Sequence, residues 1–373
     1  MSISETFRQA LSLPNPWIRE AKEEGKKALG YFCSYIPEEI MTAAGLLPVR
    51  MRAPGCTDTP MGDAYMSPTT CGFTRCVLET ASEGGYEFLD GVVASNTCDQ
   101  VRRLYDNIRF KTPFPYHYFL SLPHTQSPTT LEWFAHELVK FKEDLEEHFQ
   151  VEIGREKLQE AIKAHNHSRA LFERLYDLRK REAPVLSGSE VLRFFLGSVT
   201  LPVQTFNAWF QKEIEELEAG EGLSKYRARI MLLGSHLDDP RFIELIEGQG
   251  GLVVTDSLCF GNRFFRDPVD ETAEPISALA ERYLYKIPCP RMSGAQAERI
   301  RFVMDQIRDF HVDGVIIQRM KFCPMWWGDA FVLRDELKKA GIPCLELERE
   351  YLVSGAGAIK TRVQAFLETL EGR

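Results

Sequence analysis

Three cysteines stand where sulfur could do chemistry. Cys323 closes the stretch "GVIIQRMKFCP", Cys98 closes "FLDGVVASNTCD", and Cys71 lies in "SPTTCGFTRC". Each is at or near a turn where a strand would hand over to a helix, and there the free backbone N–H groups of a first helical turn can face a ligand. A thiolate is a soft donor that favours Zn²⁺, Cu(I) or an iron–sulfur cluster. The three are too far apart in sequence for the paired spacing of a zinc ribbon. Spacing alone therefore leaves a second reading open for each, a buried thiol that packs as a small apolar residue. The polar turns beside Cys98 and Cys323 tilt those two toward function.

The 373-residue chain is longer than one core commonly serves, and 44% of it is hydrophobic. No apolar run reaches the ~18 residues of a membrane span. The N-terminal "MSISETFRQALSLPNPWIREAKEEGKKALG" reads as a charged amphipathic helix, without the apolar stretch and cleavage site of a secretory signal. A cytoplasmic location and no membrane partner are expected. In that compartment the nine cysteines cannot be a disulfide framework, so they divide between core residues and holders of a metal or cluster. A net charge of −9 argues against a nucleic-acid partner, which needs clustered Lys and Arg. A local basic patch for a small anion stays open.

Elements of an α/β protein must bring the cysteines together. "GYFCSYIPEEIMTAAGLLPVRM" reads as a strand, a helix opened by Pro37, Glu38 and Glu39 and stopped at Gly45, then a second strand. "FLDGVVASNTCD" and "HVDGVIIQRMKFCP" repeat one pattern of aspartate, glycine, apolar strand, polar turn and cysteine. In open α/β sheets the carboxyl ends of strands are where ligands bind. Residues 126–222 are charged and helix-periodic. A second α/β unit opens at "ARIMLLGSHLDD", runs through "GGLVVTDSLCFG" and "KKAGIPCLELEREY", and closes on the helix "KTRVQAFLETLEG". The expected fold is α/β, with two doubly wound parallel-sheet domains, an N-terminal helix and a helical insert. The expected division is 1–125 for the N-terminal helix and first α/β domain, 126–222 for the insert, and 223–373 for the second α/β domain.

The segments "GYFCSYIPEEIMTAAGLLPVR", "MGDAYMSPTTCGFTRCVLE", "FLDGVVASNTCDQVRRLYD", "DGVIIQRMKFCPMWWGDAFVLRDELKKAGIPCLELEREY" and "SGAGAIKTRVQAFLE" occur in order along the chain. Together they resemble the cluster-bearing subunits of 2-hydroxyacyl-CoA dehydratases and ATP-dependent benzoyl-CoA reductases. The resemblance spans nearly the whole chain, weakest across the helical insert, and separates the two activities poorly. It implies two Rossmann-like lobes and a [4Fe–4S] cluster held by Cys71, Cys98 and Cys323, with one iron free of protein thiolate and the 1–125 unit as the cluster-binding domain. It also implies an acyl-CoA substrate, a homologous second subunit in a hetero- or homodimer, and a separate ATP-dependent iron–sulfur activator that sends single electrons at low potential. The thioester then forms a ketyl radical, which loses its hydroxyl in the dehydratases; the reductases dearomatise a ring. Dehydration is the preferred expectation, with ring reduction or a noncatalytic relay or structural subunit as alternatives. A zinc-binding structural protein is a further alternative from the residues themselves.

Other residues carry weaker signals. Ser354, Gly355 and Gly357 precede a helix bearing Lys360, a turn able to cradle a CoA phosphate or the thioester; an ordinary capping loop is the plainer reading. Arg102 and Arg103 would balance cluster charge or lie on a solvated helix face. Glu38 and Glu39 would act as acid and base, or favour the helix dipole. His236 follows a strand and would serve proton transfer or a polar turn. Phe73, Phe322, Trp326 and Trp327 would keep the centre dry or simply pack. Relatives with a doubled cluster carry a cysteine that "EGGYEFLD" lacks, which argues against a doubled centre here, although Cys33, Cys56 and Cys76 are available to enlarge it. Cys259, Cys289 and Cys344 are expected to be structural. No catalytic residue is assigned.

Overall fold

The computed structural model describes residues 5–352 and 355–371. Eight strands form two parallel sheets: β1 (Ala28–Tyr31), β2 (Leu47–Arg50), β3 (Gly91–Ser95) and β4 (Tyr116–Leu120) in one, and β5 (Ala228–Gly234), β6 (Gly251–Ser257), β7 (Gly314–Met320) and β8 (Cys344–Arg349) in the other. The first has the order β2-β1-β3-β4 and the second β6-β5-β7-β8. Every residue of β1, β3, β5 and β6 is buried, as expected where helices cover both faces of a parallel sheet. The fold is thus α/β, with two helix-flanked parallel sheets and a helical middle region, as the sequence led one to expect.

The shared strand order places the site. In each sheet the winding direction reverses between the first and third strands, and a crevice opens there at the carboxyl ends of the strands. In the first sheet this crevice lies between β1 and β3, in the second between β5 and β7. The segments after these four strands begin at Phe32, Asn96, Ser235 and Lys321, and they meet between the sheets.

The middle helices divide their packing between the two sheets. Helix Pro128–Phe149 buries Phe134, Leu138, Phe141 and Leu145 in the core that contains Tyr116 and Leu120 of β4. Helices Arg155–Lys180, Gly188–Ser198 and Val203–Ala219 bring Phe172, Phe195 and Phe210 into the core around Ile230, Leu232 and Val253. The amino-terminal residues are split too. Phe7 packs edge-on against Phe194 at 4.8 Å, beside the second sheet, whereas Ile18 and Ala21 join the core of the first.

One connection matters most for function. After β6 the chain crosses to the first sheet, where helix Pro275–Tyr285 packs Ile276, Leu279 and Tyr283 beside Phe134 and Leu138, and it returns through helix Gln296–Asp309 to β7. Residues 258–292 therefore pass between the lobes and line what lies there.

Candidate metal centre

Cys71, Cys98 and Cys323 each stand immediately before the first residue of a helix, Gly72–Ser82, Asp99–Lys111 and Pro324–Lys339 respectively. All three line one cavity of about 130 Å³ between the two switch points. Around each sulfur the same local geometry recurs. The backbone N–H groups two and three residues on face it: Phe73 and Thr74 at Cys71, Gln100 and Val101 at Cys98, Met325 and Trp326 at Cys323. These contacts fall short of full side-chain capping bonds but place each sulfur at the positive end of a helix. Gln100 Oε1 accepts from the Cys71 N–H at 3.2 Å and so ties two of the turns together. Phe322 carries a left-handed φ of 61°, the sharp reversal that turns the chain from β7 into the helix behind Cys323. At Gly72 a Cβ would meet Tyr351 Cβ at 3.0 Å and its backbone nitrogen at 3.2 Å, so a side chain there would push Cys71 away from the second lobe.

The thiols also feel one another. Burial pushes the Cys98 thiol well up, with Cys71 and then Cys323 adding to it. Burial likewise lifts Cys323 to about 12, with repulsion from Cys71 and Cys289 contributing, and burial raises Cys71. Uncompensated, such a group of thiols stays protonated. A bound cation would hold the sulfurs as thiolates.

The other wall is chemically different. Arg50, Arg263 and Arg291, each no more than 4% exposed, line the same cavity with His236, Cys33, Cys259 and Cys289. Among the described residues no carboxylate lines it. Burial raises the Cys259 thiol, but Arg50, His236 and Arg263 outweigh it and hold the thiol down at about 6. His236 stacks on Phe73 at 3.9 Å and lies 3.4 Å from Asp238 Oδ2, whose charge outweighs burial and raises the histidine's pKa. Nε2 of His236 nevertheless makes no well-aligned hydrogen bond. Asp238 also accepts from Tyr351 Oη at 2.7 Å.

These placements redraw the sequence expectations. Cys259 and Cys289, taken as structural, lie on the cavity wall, while Cys344 sits in edge strand β8 away from it. Of the cysteines considered for an enlarged centre, Cys33 lines the cavity. Cys56 and Cys76 do not, and their thiols are hydrogen-bonded to each other. Phe73 and Trp326 line the site, but Phe322 and Trp327 are exposed, at 43% and 69%. Arg102 and Arg103 lie on a solvated face, near Asp99 and Asp106. Glu38 and Glu39 are buried in a network with Tyr31, Arg169 and Tyr283 rather than facing solvent. Gly355, Gly357 and Lys360 are exposed and do not line the cavity; Ser354 lies outside the described residues. The arginines were missed, although an arginine at the end of the apolar strand "LLPVR" was the signal available for Arg50.

The donor set fits a sulfur-ligated centre: Cys71, Cys98 and Cys323 share one cavity with Cys33, Cys259 and Cys289. Among the described residues no three His, Cys, Asp or Glu side chains meet closely enough to hold one metal ion. The guanidinium Nε atoms of Arg50, Arg263 and Arg291 on the opposite wall have no protein partner and suit a group of net negative charge.

Residues 33–370 match the family model for the 2-hydroxyglutaryl-CoA dehydratase D-component. The chain is 26% identical to the putative dehydratase subunit YjiM of Escherichia coli, over 99% of this chain and 98% of that protein. It is 24% identical to a benzoyl-CoA reductase subunit of Thauera aromatica, over 87% and 86%. It is 22% identical to the (R)-phenyllactyl-CoA dehydratase beta subunit of Clostridium sporogenes, over 98% and 97%.

Proposed function

Because the chain belongs to the 2-hydroxyglutaryl-CoA dehydratase D-component family, we propose that it is the iron–sulfur subunit of an oxygen-sensitive acyl-CoA enzyme that removes water from a 2-hydroxyacyl-CoA. One observation carries this reading: three thiols at helix starts, brought from distant parts of the sequence, line one cavity between facing switch points, with no carboxylate among its described lining residues. Cys71, Cys98 and Cys323 would hold a [4Fe–4S] cluster, which when bound supplies a single low-potential electron to the thioester. The chain's own residues then do the rest. The six N–H groups at the helix starts donate toward the sulfurs, and hydrogen bonding of this kind tunes a cluster's potential. Phe73, Met320, Met325 and Trp326 exclude water from the wall beside them. His236, whose pKa Asp238 raises against the effect of burial, stands at the cavity edge as a candidate proton carrier.

Phe322, Trp327 and Phe331 form an exposed apolar patch around Cys323. That patch, and the beta subunits among the relatives, support assembly with a homologous second subunit; the assembly would work in the cytoplasm, and an ATP-dependent iron–sulfur activator would deliver the electron. Among the described residues no helix is long and apolar enough to cross a membrane.

Anaerobic purification followed by iron and acid-labile sulfide analysis is the test. Cys98→Ala and Cys323→Ala should lose iron and visible absorption, while Cys344→Ala should keep both. Zinc without sulfide, or unchanged iron in the first two variants, would defeat the proposal. An aryl-CoA reductase subunit is the alternative, favoured by the likeness to the benzoyl-CoA reductase of Thauera aromatica. Net electron consumption separates the two, because dehydration returns its electron and ring reduction does not. A second reading concerns the size of the centre: with Cys33, Cys259 and Cys289 on the same cavity, an enlarged cluster has donors available, and more than four irons per chain would select it.

A further inference from the structure

Arg50, Arg263 and Arg291 are held by the protein but only partly neutralised by it, through the Cys259 thiol. Arg50 donates from Nη1 to the Cys259 carbonyl at 2.9 Å and lies 4.0 Å from the centre of the Phe260 ring. Arg263 donates from Nη2 to the Gly234 carbonyl at 2.9 Å and lies 5.0 Å from Trp326. Arg291 donates to the Pro123 carbonyl at 2.9 Å and the Leu122 carbonyl at 3.3 Å, and lies 4.9 Å from Tyr35. The Nε of each is buried without a protein partner. Among the described residues none of the three has a carboxylate within ion-pair distance, although other buried arginines do, such as Arg169 with Glu39 and Arg299 with Asp329.

A guanidinium does not shed its proton in a protein. Burying one charge without a counter-charge is expensive, and burying three side by side adds their mutual repulsion. Carbonyl acceptors and aromatic faces fix the orientation of these groups but leave their full charge in place. Glu38, the acid whose charge reaches Arg50, is hydrogen-bonded to Tyr31, and burial pushes its carboxyl up to about 7, which weakens it as a counter-ion. The Cys259 thiol, held down at about 6, supplies one negative charge to this wall, and the rest of the balancing charge must come from whatever occupies the cavity.

Resting on the iron–sulfur reading above, we propose that Arg50, Arg263 and Arg291 are the fixed counter-charge of the cavity's metal–thiolate centre, raising its reduction potential and holding it in place. A cluster ligated by thiolates is net negative when oxidised and more so when reduced. A fixed positive wall therefore favours the reduced form, and it also sets how strong a reductant the centre can be. The arginines act through charge, without covalent contact, and are positioning residues.

The test is a dye-mediated redox titration of the anaerobically purified protein, followed by electron paramagnetic resonance, with iron counted per chain. Arg50→Met, Arg263→Met and Arg291→Met should each shift the potential to more negative values, and the lysine variants at the same positions should return it toward the wild-type value. Loss of iron in the methionine variants with retention in the lysine variants also supports the proposal. Iron-loaded methionine variants with the wild-type potential would overturn it. So would equal iron loss in methionine and lysine variants of the same position. If the wild-type protein itself carried no iron and sulfide, the iron–sulfur reading would fall before any variant was made.

Discussion

Two neighbouring carboxyls in the interior are pushed in opposite directions, and substituting each gives a quantitative check on the buried network behind the cavity. Burial raises Glu38 to about 7 despite its bond from Tyr31, with Glu39 adding to the rise. His165 Nδ1 lies 4.0 Å from Glu38 Oε2, but burial lowers the histidine to about 4, so at neutral pH it is uncharged and no ion pair forms. Glu39 suffers the same burial, yet Arg169 outweighs it and holds the carboxyl at about 2, while Tyr283 Oη donates to it at 2.8 Å.

Starting from 4.5 in the unfolded chain, each carboxyl moves by a similar amount, and at about 1.4 kcal/mol per pKa unit each shift corresponds to about 3 kcal/mol. The signs are opposite. Glu38 is raised, so its contribution favours folding below pH 4.5 and is lost as pH climbs through about 7. Glu39 is lowered, so its contribution is present above pH 4.5 and disappears as pH falls through about 2. Glu38→Gln keeps an oxygen to accept from Tyr31 and removes the titration. It should match wild type near pH 4.5 and be more stable by about 3 kcal/mol at pH 8. Glu39→Gln strands Arg169 and should be less stable by about 3 kcal/mol at pH 7, within the range for breaking a buried pair. Urea unfolding of wild type and both variants at matched pH between 4.5 and 8 reads the differences. A gap between Glu38→Gln and wild type that stays constant across that range would refute the account of Glu38. A Glu39→Gln protein as stable as wild type would refute the account of Glu39.

Gly72→Ala places a methyl 3.0 Å from Tyr351 Cβ, an overpacking that should cost about 1–3 kcal/mol and reduce iron content through Cys71; unchanged iron and midpoint would show that this close approach does not position the ligand. Phe322→Ser and Trp327→Ser alter exposed rings and should leave stability within about 0.5 kcal/mol while weakening association with the second subunit. Size-exclusion chromatography of the co-expressed pair checks this, and intact assembly in the double variant would remove the patch from the interface.

What the sequence made legible was whatever local pattern controls. β3 and β7 announce themselves as short apolar runs ending in a polar turn and a cysteine, and the structure has both strands where that pattern puts them. Other features depend on tertiary routing. Edge strand β4, "YHYFL", carries a histidine among aromatics, has three half-buried positions and lacks the β-branched run of an interior strand. Cys259 and Cys289 looked structural because "SLCFG" and "IPCPRM" carry no sign that the chain between them crosses from one lobe to the other and back. Of the two tryptophans expected beside the centre, Trp326 lines the cavity and Trp327 does not, for a geometric reason. Adjacent residues on an α-helix point about 100° apart, so when Trp326 faces the cavity Trp327 must face away. The helix behind Cys323 shows that result, with Trp326 at 5% exposure and Trp327 at 69%.

The electrostatics of the cavity come from two independent sources that agree in sign. Backbone geometry supplies one: the strand order puts two switch points face to face, and three helix starts aim their N–H groups at the same space. Side chains supply the other, three buried guanidiniums delivered by the end of β2 and by the segment that crosses between the lobes. Either source alone has an ordinary structural explanation, since helix ends are common at switch points and single buried arginines often serve packing. Their convergence on one space that no acid among the described residues lines is harder to account for by packing, because each added positive source destabilises the arrangement. A centre built from thiolates relieves both at once. It also explains why the sulfur donors sit at helix starts, where a thiolate is stabilised, and not within the strands that lead to them.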